Sequence, residues 1–205
     1  MDHIYRDIPL PNIPWNVEQP PPLLVEAVES GKIKPCRAVD LGCGAGNYAV
    51  WLAGRGFDVT GIDISAKAIE HARKLATVKG VACRFVVLDL LGDLSNYRER
   101  FDFAYDWELL HHIFPEDRER YLRNVHRLLR PDGAYFSICF SETDPSFGGR
   151  NKYRKTNIGT TLYFSSEAEL RELFEKCFTV SDLRTVEIPG KHGSHLVIAA
   201  WLKPL

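Results

Sequence analysis

The chain has 205 residues, enough for one α/β domain with a full core, residues 1–205 forming a single unit. Its 26 Lys and Arg against 27 Asp and Glu give a net charge of −1, so no basic surplus recruits nucleic acid or an anionic membrane. Five scattered cysteines (Cys36, Cys43, Cys83, Cys139 and Cys177) with no C-x-x-C pair argue for reduced thiols in a cytoplasmic protein, against a disulfide frame and against a metal site. The N-terminus shows no signal-peptide pattern and no apolar run reaches the length of a membrane span.

Residues 1–22 contain six of the twelve prolines, which predicts an extended or turned arm. Ile4, Tyr5, Ile8, Ile13 and Trp15 would be out of place in a free tail. The arm therefore packs on the domain, closes as a lid over a ligand, or does both. A short amphipathic helix over Leu23–Val28 stops at Gly31, and Pro35 leads into a first strand. That strand runs into R-A-V-D-L-G-C-G-A-G-N, Arg37–Asn47, and a helical pattern follows over Asn47–Arg55.

Strand, glycine turn and helix in that order form a ligand cradle. The glycines let the chain approach a bound molecule closely, and the following helix start offers free N–H groups. The dinucleotide fingerprint G-x-G-x-x-G needs a small residue at position 47, which is asparagine here, and the third glycine comes one place early at Gly46. Asp40, two residues before Gly42, would attract an ammonium group and repel a pyrophosphate. A zwitterionic amino-acid tail fits this turn better than a diphosphate.

Further strands are expected at Phe57–Ile62 (stopping at Asp63), Cys83–Leu88 (ending at Asp89), Phe101–Tyr105 (ending at Asp106) and Gly133–Phe140. Helices alternate with them: Ser65–Lys79, serine-capped and closed by Gly80, and the charged Glu116–Leu129, closed by R-P-D-G. This alternation implies right-handed crossovers and a mostly parallel sheet. Residues 141–160 are polar and glycine-containing, long enough for a substrate-side loop. Ser165 is expected to cap a helix to about Lys176, and two last strands lie near Val180–Ile188 and His195–Leu202.

The acid-x-G-x-G-x-G pattern of Asp40–Gly46, together with acids at the ends of successive strands, resembles the class I S-adenosylmethionine-dependent methyltransferases. The likeness covers roughly Trp15 to the C-terminus. It implies a Rossmann-like, doubly wound, seven-stranded sheet with an antiparallel last strand, and S-adenosylmethionine as cofactor, with S-adenosylhomocysteine as product. By position it implies that Asp40 serves the methionine ammonium through its local network, and that Gly42, Cys43, Gly44 and Gly46, with Asn47 beside them, line the methionine and ribose. Asp63 and Ile64 would hold and cover the ribose and adenine, Asp89 and Leu90 would flank the adenine, and Asp106 and Trp107 would form the floor beside the sulfonium. A narrower likeness, carried by P-W-N-V-E-Q-P (Pro14–Pro20) and the stretch Phe101–Gly133, is to the thiopurine, thiol and halide S-methyltransferase group, in which the residue matching Trp15 packs over the cofactor. The G-P-P-Y-like segment of that group is replaced by F-G-G-R, Phe147–Arg150, and L-H-H-I (Leu110–Ile113) also resembles quinone-biosynthesis methyltransferases.

The implied acceptor is a small molecule, a thiol or other soft nucleophile on the narrower likeness, or an oxygen or carbon acceptor on the quinone-like one. His111 and Asp106 are the catalytic candidates, and His112 is a second base candidate. Two other readings stay open from the sequence: a non-catalytic S-adenosylmethionine-binding protein, and an NAD(P)-dependent oxidoreductase, against which Asn47 and Asp40 speak. Either a monomer or a homodimer is compatible with the chain.

Overall fold

The first strand, β1 (Arg37–Leu41), carries Ala38, Val39 and Leu41, all fully buried, so it must be covered on both faces. In the computed structural model, which describes all 205 residues, β1 lies in the interior of a seven-stranded sheet. It is flanked in parallel by β2 (Asp58–Asp63) and β4 (Phe101–Trp107), and β3 (Arg84–Val87) extends that side beyond β2. Beyond β4 come β5 (Leu129–Phe140), then β9 (Gly193–Pro204), inserted antiparallel, and β8 (Phe178–Gly190) at the edge. The order is β3-β2-β1-β4-β5-β9-β8. Strand order reverses between β1 and β4, and there the carboxyl ends of the strands leave a crevice for a ligand.

Period-two alternation on the strands feeds two cores. Tyr135 and Cys139 of β5 face one cluster, with Tyr121, Leu122, Val125 and Leu128 of α5 (Pro115–Leu128) and Leu170 and Phe174 of α6 (Glu167–Phe174). Phe136, Ile138 and Phe140 face the other, with Leu24 of α2 (Pro22–Glu29), Val50 and Leu52 of α3 (Asn47–Ala53), and Ile69, Ala72 and Ala76 of α4 (Ala66–Lys79). The α4 caps are those read from the sequence: Ser65 Oγ accepts the Ala68 N–H at 3.0 Å, and Gly80 closes the helix at φ +66°.

Four local expectations are corrected. The arm is not wholly extended or turned: α1 (Asp2–Asp7) is helical, and the Asp2 carboxylate accepts bonds from Ser65 Oγ (2.7 Å) and Lys67 N (2.9 Å), seating α1 on the start of α4. Ser166, not Ser165, caps α6, in a reciprocal box with Glu169, because the Ser165 hydroxyl is buried and accepts from Arg118 Nη1 at 2.8 Å. The R-P-D-G stretch expected to close α5 instead lies within β5, across a register shift against β4. Finally, the polar stretch after β5 contains a hairpin of β6 (Tyr153–Lys155) and β7 (Thr161–Tyr163).

Asp106 requires a further correction. On β4 it shares the Ala104 face, turned toward α5, and there it is fully buried. Its carboxylate accepts hydrogen bonds from the hydroxyls of Tyr121 (3.1 Å), Ser137 (3.1 Å) and Tyr135. Burial pushes its pKa up to about 6 against the pull of those hydroxyls. It joins β4, β5 and α5 and is not among the residues that line the two cavities described below. Asp106→Ala leaves three buried hydroxyls unpaired and should cost about 2–5 kcal/mol. Urea unfolding checks this through a lowered midpoint, and a midpoint equal to wild type would show that the hydroxyls find other partners.

Candidate active site

The turn after β1 places Gly42, Gly44 and Gly46 at φ +75°, +52° and +83°, a backbone region that side chains disfavour. Space is also short there. A Cβ on Gly44 would lie 2.6 Å from the Tyr5 hydroxyl, and one on Gly46 would lie 2.7 Å from Ala72 Cβ. At the end of β2, Asp63 braces the turn: Oδ2 accepts the Gly44 N–H at 2.9 Å and Oδ1 accepts the Ser65 N–H at 2.8 Å. Burial raises its pKa, with those two backbone bonds opposing the rise.

Asp40, at the end of β1, is 3% exposed, and its Oδ2 has no hydrogen-bond partner. Burial pushes its pKa up to about 7 against the pull of the Tyr105 hydroxyl beside it, with the Asp63 and Asp106 carboxylates adding to the rise. An orphaned carboxylate oxygen bordering a cavity is suited to receive a cation. The cavity is bordered by Asp40, Gly42, Cys43, Gly44, Asn47, Asp63 and Trp107, so the structure brings these expected residues together. Gly46 lies beneath, as the cap of α3. Burial holds the Cys43 thiol well above its ordinary pKa, so it is a space-filling thiol and not a nucleophile.

The arm supplies the roof. Trp15 borders the cavity and its Nε1 donates to the Tyr5 hydroxyl at 2.8 Å, and Asn47 Nδ2 donates to Asn16 Oδ1 at 3.0 Å. Lys191, from the turn between β8 and β9, donates to the carbonyls of Pro11, Ile13 (3.0 Å) and Asn16 (3.4 Å), tying the arm down from the other side.

Three expected residues stand elsewhere. Ile64 is 56% exposed and Asp89 is exposed, its carboxylate accepting the Leu91 N–H at 2.8 Å; both lie at strand ends outside the cavity wall. Leu90 is buried in the core cluster that also holds Leu94 and Leu122.

A second cleft of about 1770 Å³ adjoins the first. Its walls include His111, Phe140 and Phe147, with Thr156 and Asn157 from the stretch 141–160. His111 stacks on Phe140 with centroids 4.5 Å apart, and its buried Nδ1 has no partner. Burial, with His112 and Arg118 nearby, drives its pKa well below the ordinary imidazole value, and His112 is lowered to about 4. Both rings are weak proton acceptors. Sequence reasoning missed Glu108 and Tyr48, which border both cavities. Their proximity to Asp40 and Trp107 was the only available signal.

The family model described as "Methyltransferase domain" matches residues 38–133. The 2-heptyl-1-hydroxyquinolin-4(1H)-one methyltransferase of Mycobacteroides abscessus is 31% identical over 173 residues, covering 83% of this chain and 70% of that protein. Thiocyanate methyltransferase 1 of Brassica oleracea is 32% identical over 137 residues, which are 66% of this chain and 60% of that one. A solved structure from work on the conversion of a disulfide bond into a thioacetal group during echinomycin biosynthesis superposes with a TM-score of 0.84 at 27% identity, covering 99% of this chain and 90% of its own. The chain belongs to the class I S-adenosylmethionine-dependent methyltransferases. It is an enzyme of that kind, and S-adenosylmethionine is its cofactor.

Asp40 provides a test of the cradle without ligand. Its folded-state pKa of about 7 lies above its ordinary 3.8, so between those values the folded chain holds a proton that the unfolded chain lacks. Stability therefore falls as pH rises through that window, and the whole loss is present above it. Asp40→Asn should raise the melting temperature of the ligand-free protein at pH ~8, by about 2–4 °C per kcal/mol recovered, with the gain vanishing toward pH ~4. Thermal melts across that range check it, and a gain independent of pH would contradict it.

Proposed function

We propose that this enzyme transfers a methyl group from S-adenosylmethionine, held in the glycine cradle, to a small molecule lodged in the adjoining cleft. The observation that carries the reading is the pairing of two cavities along one crevice, the smaller one walled by Asp40, the glycine turn and Asp63. When bound, S-adenosylmethionine supplies a methyl carbon already activated by its positive sulfonium. Asp40 offers its unpaired oxygen to the methionine ammonium side. Gly42, Cys43 and Gly44 let the backbone come close, and Asp63 accepts from the ribose hydroxyls.

The chain's own contribution is then placement and exclusion of water. Trp15 and Val17 of the arm border both cavities, so one segment roofs the donor and acceptor sides together. We take residues 1–22 as that roof and 141–160 as part of the acceptor wall. The stacked, neutral His111 ring serves as wall and not as base. A soluble cytoplasmic enzyme acting on a metabolite and not on nucleic acid fits the net charge of −1 and the five free cysteines; no helix is long and apolar enough to cross a membrane.

The test is release of adenosylhomocysteine with a panel of thiols, phenols, hydroxylated heterocycles, amines and inorganic anions. Turnover with at least one organic acceptor is expected. Binding of the cofactor without turnover on any of them would point to a non-catalytic binder. In the same protein, Asp63→Ala should weaken adenosylhomocysteine binding by about 1–3 kcal/mol through lost hydrogen bonds. Calorimetry reads this directly, and unchanged affinity would remove Asp63 from the ribose.

A further inference from the structure

Six residues border both cavities: Trp15, Val17, Tyr48, Trp107, Glu108 and His112. They mark the junction across which a methyl group must pass. Among them Glu108 alone carries a carboxylate. It follows β4 directly, with its N–H donating to the Ile138 carbonyl at 2.9 Å, and its backbone is left-handed at φ +64°. A bulky non-glycine residue keeps that conformation only where its surroundings impose it, and such strain clusters at working sites. The Glu108 side chain makes no hydrogen bond or ion pair within the chain, and burial, with Asp144 adding to it, raises its pKa to about 7.

No lysine or arginine on the cleft wall is left free to set against that carboxylate, and the Met1 ammonium borders the first cavity. The Lys191 ammonium is taken up by three arm carbonyls. His111 and His112 are neutral by burial. Behind the wall, Arg118 donates to the carbonyls of Ile113 (2.8 Å) and Leu110 (3.1 Å) and to Ser165 Oγ (2.8 Å). An anionic acceptor such as thiocyanate or a halide would enter against like charge, and the cleft is far larger than such an ion. The indoles of Trp15 and Trp107, the phenol of Tyr48 and the rings of Phe140 and Phe147 line it instead, and such walls suit a flat ring.

We propose that the acceptor is a neutral aromatic heterocycle bearing an acidic hydroxyl or ring N–H, and that Glu108 is the catalytic base that takes its proton. The proposal rests on the methyl-transfer reading above. The acceptor's O–H or N–H bond breaks, its electron pair forms the bond to the methyl carbon, and its proton passes to the Glu108 carboxylate. The pair of the broken carbon–sulfur bond leaves with the sulfur, and Glu108 then releases the proton to water. Neutral acceptor, sulfonium and carboxylate thus give methylated product, neutral thioether and carboxylic acid, with charge balanced.

The titratable groups around Glu108 are the Met1 ammonium and Tyr5 from the arm, Asp40 from β1, Cys43 from the glycine turn, Tyr48 from α3, Asp63 from β2, His111 and His112 from the short turn after β4, Asp144 after β5, and Lys191, His192 and His195 from the β8–β9 hairpin. Tyr48 is pushed well up by burial and stays a phenol, so Glu108 is the group placed to titrate at the junction near neutrality.

The experiment uses the full chain saturated with adenosylhomocysteine. Quenching of intrinsic fluorescence, with Trp15 and Trp107 in the walls, reads binding of hydroxyquinolines, hydroxypyridines and sodium thiocyanate. At least one neutral heterocycle should bind tenfold or more tightly than thiocyanate and be methylated with the donor. Glu108→Gln, which keeps the shape but takes no proton, should bind that heterocycle within threefold of wild type and lower kcat by about 100-fold or more. The wild-type rate should fall as pH drops through about 7, and the variant should lack that limb. Glu108→Gly, which suits the left-handed backbone, should lose rate alike and shows that misfolding is not the cause. Tighter binding of thiocyanate than of every heterocycle, or a Glu108→Gln enzyme with wild-type rate and acid limb, would overturn the proposal. Failure of the wild-type chain to take up adenosylhomocysteine in the same calorimeter would bring down the methyl-transfer reading itself.

Discussion

A carboxylate buried at the end of β1, with one oxygen lacking a close partner, is a costly local feature of this fold. Asp40 sits where β1 must be covered on both faces, so water cannot reach it from the sides. Within the fold only the buried Tyr105 hydroxyl is placed to donate to it, and the crevice between β1 and β4 is where a ligand can. Around that constraint the neighbouring features acquire a reason: the glycine turn opens the approach, Asp63 fixes the turn by holding Gly44 and Ser65, and the arm lies along the crevice.

The arm also couples the two cavities. Trp15 and Val17 face both, Asn16 is held by Asn47 on the cradle side, and Lys191 holds the same segment from the acceptor side. A displacement of the arm would open donor and acceptor spaces together, and closing it would remove water from both at once. In a reaction whose electrophile is already activated, that shared roof matters more than any one acid or base for holding the reactants together.

Much of this was legible in the sequence. Alternating strand and helix patterns fix the parallel order because crossovers have one hand, and of the four strand-end acids Asp40 and Asp63 border the crevice. What failed to show was of four kinds. Asp106 ends a strand like Asp40, but strand parity sets it on the Ala104 face among hydroxyls; alternation along F-D-F-A-Y-D-W carried that information, and the strand-end pattern overrode it. The helix over Asp2–Asp7 lies ahead of the prolines and is stabilised by a long-range contact between Asp2 and the start of α4, which local propensity cannot report. Glu108 owes its position to a left-handed backbone that no residue type advertises. The three-residue strands of the β6–β7 hairpin are too short for any periodicity to register.

The central claim is that the crevice at Asp40 is built for a cationic amino-acid tail joined to a nucleoside, and not for a dinucleotide. Calorimetric titration of the purified chain with S-adenosylhomocysteine and, separately, with NAD tests it most directly. One-site binding of the adenosyl compound with no heat from NAD is the predicted result. Saturable binding of NAD with none of S-adenosylhomocysteine would contradict the account.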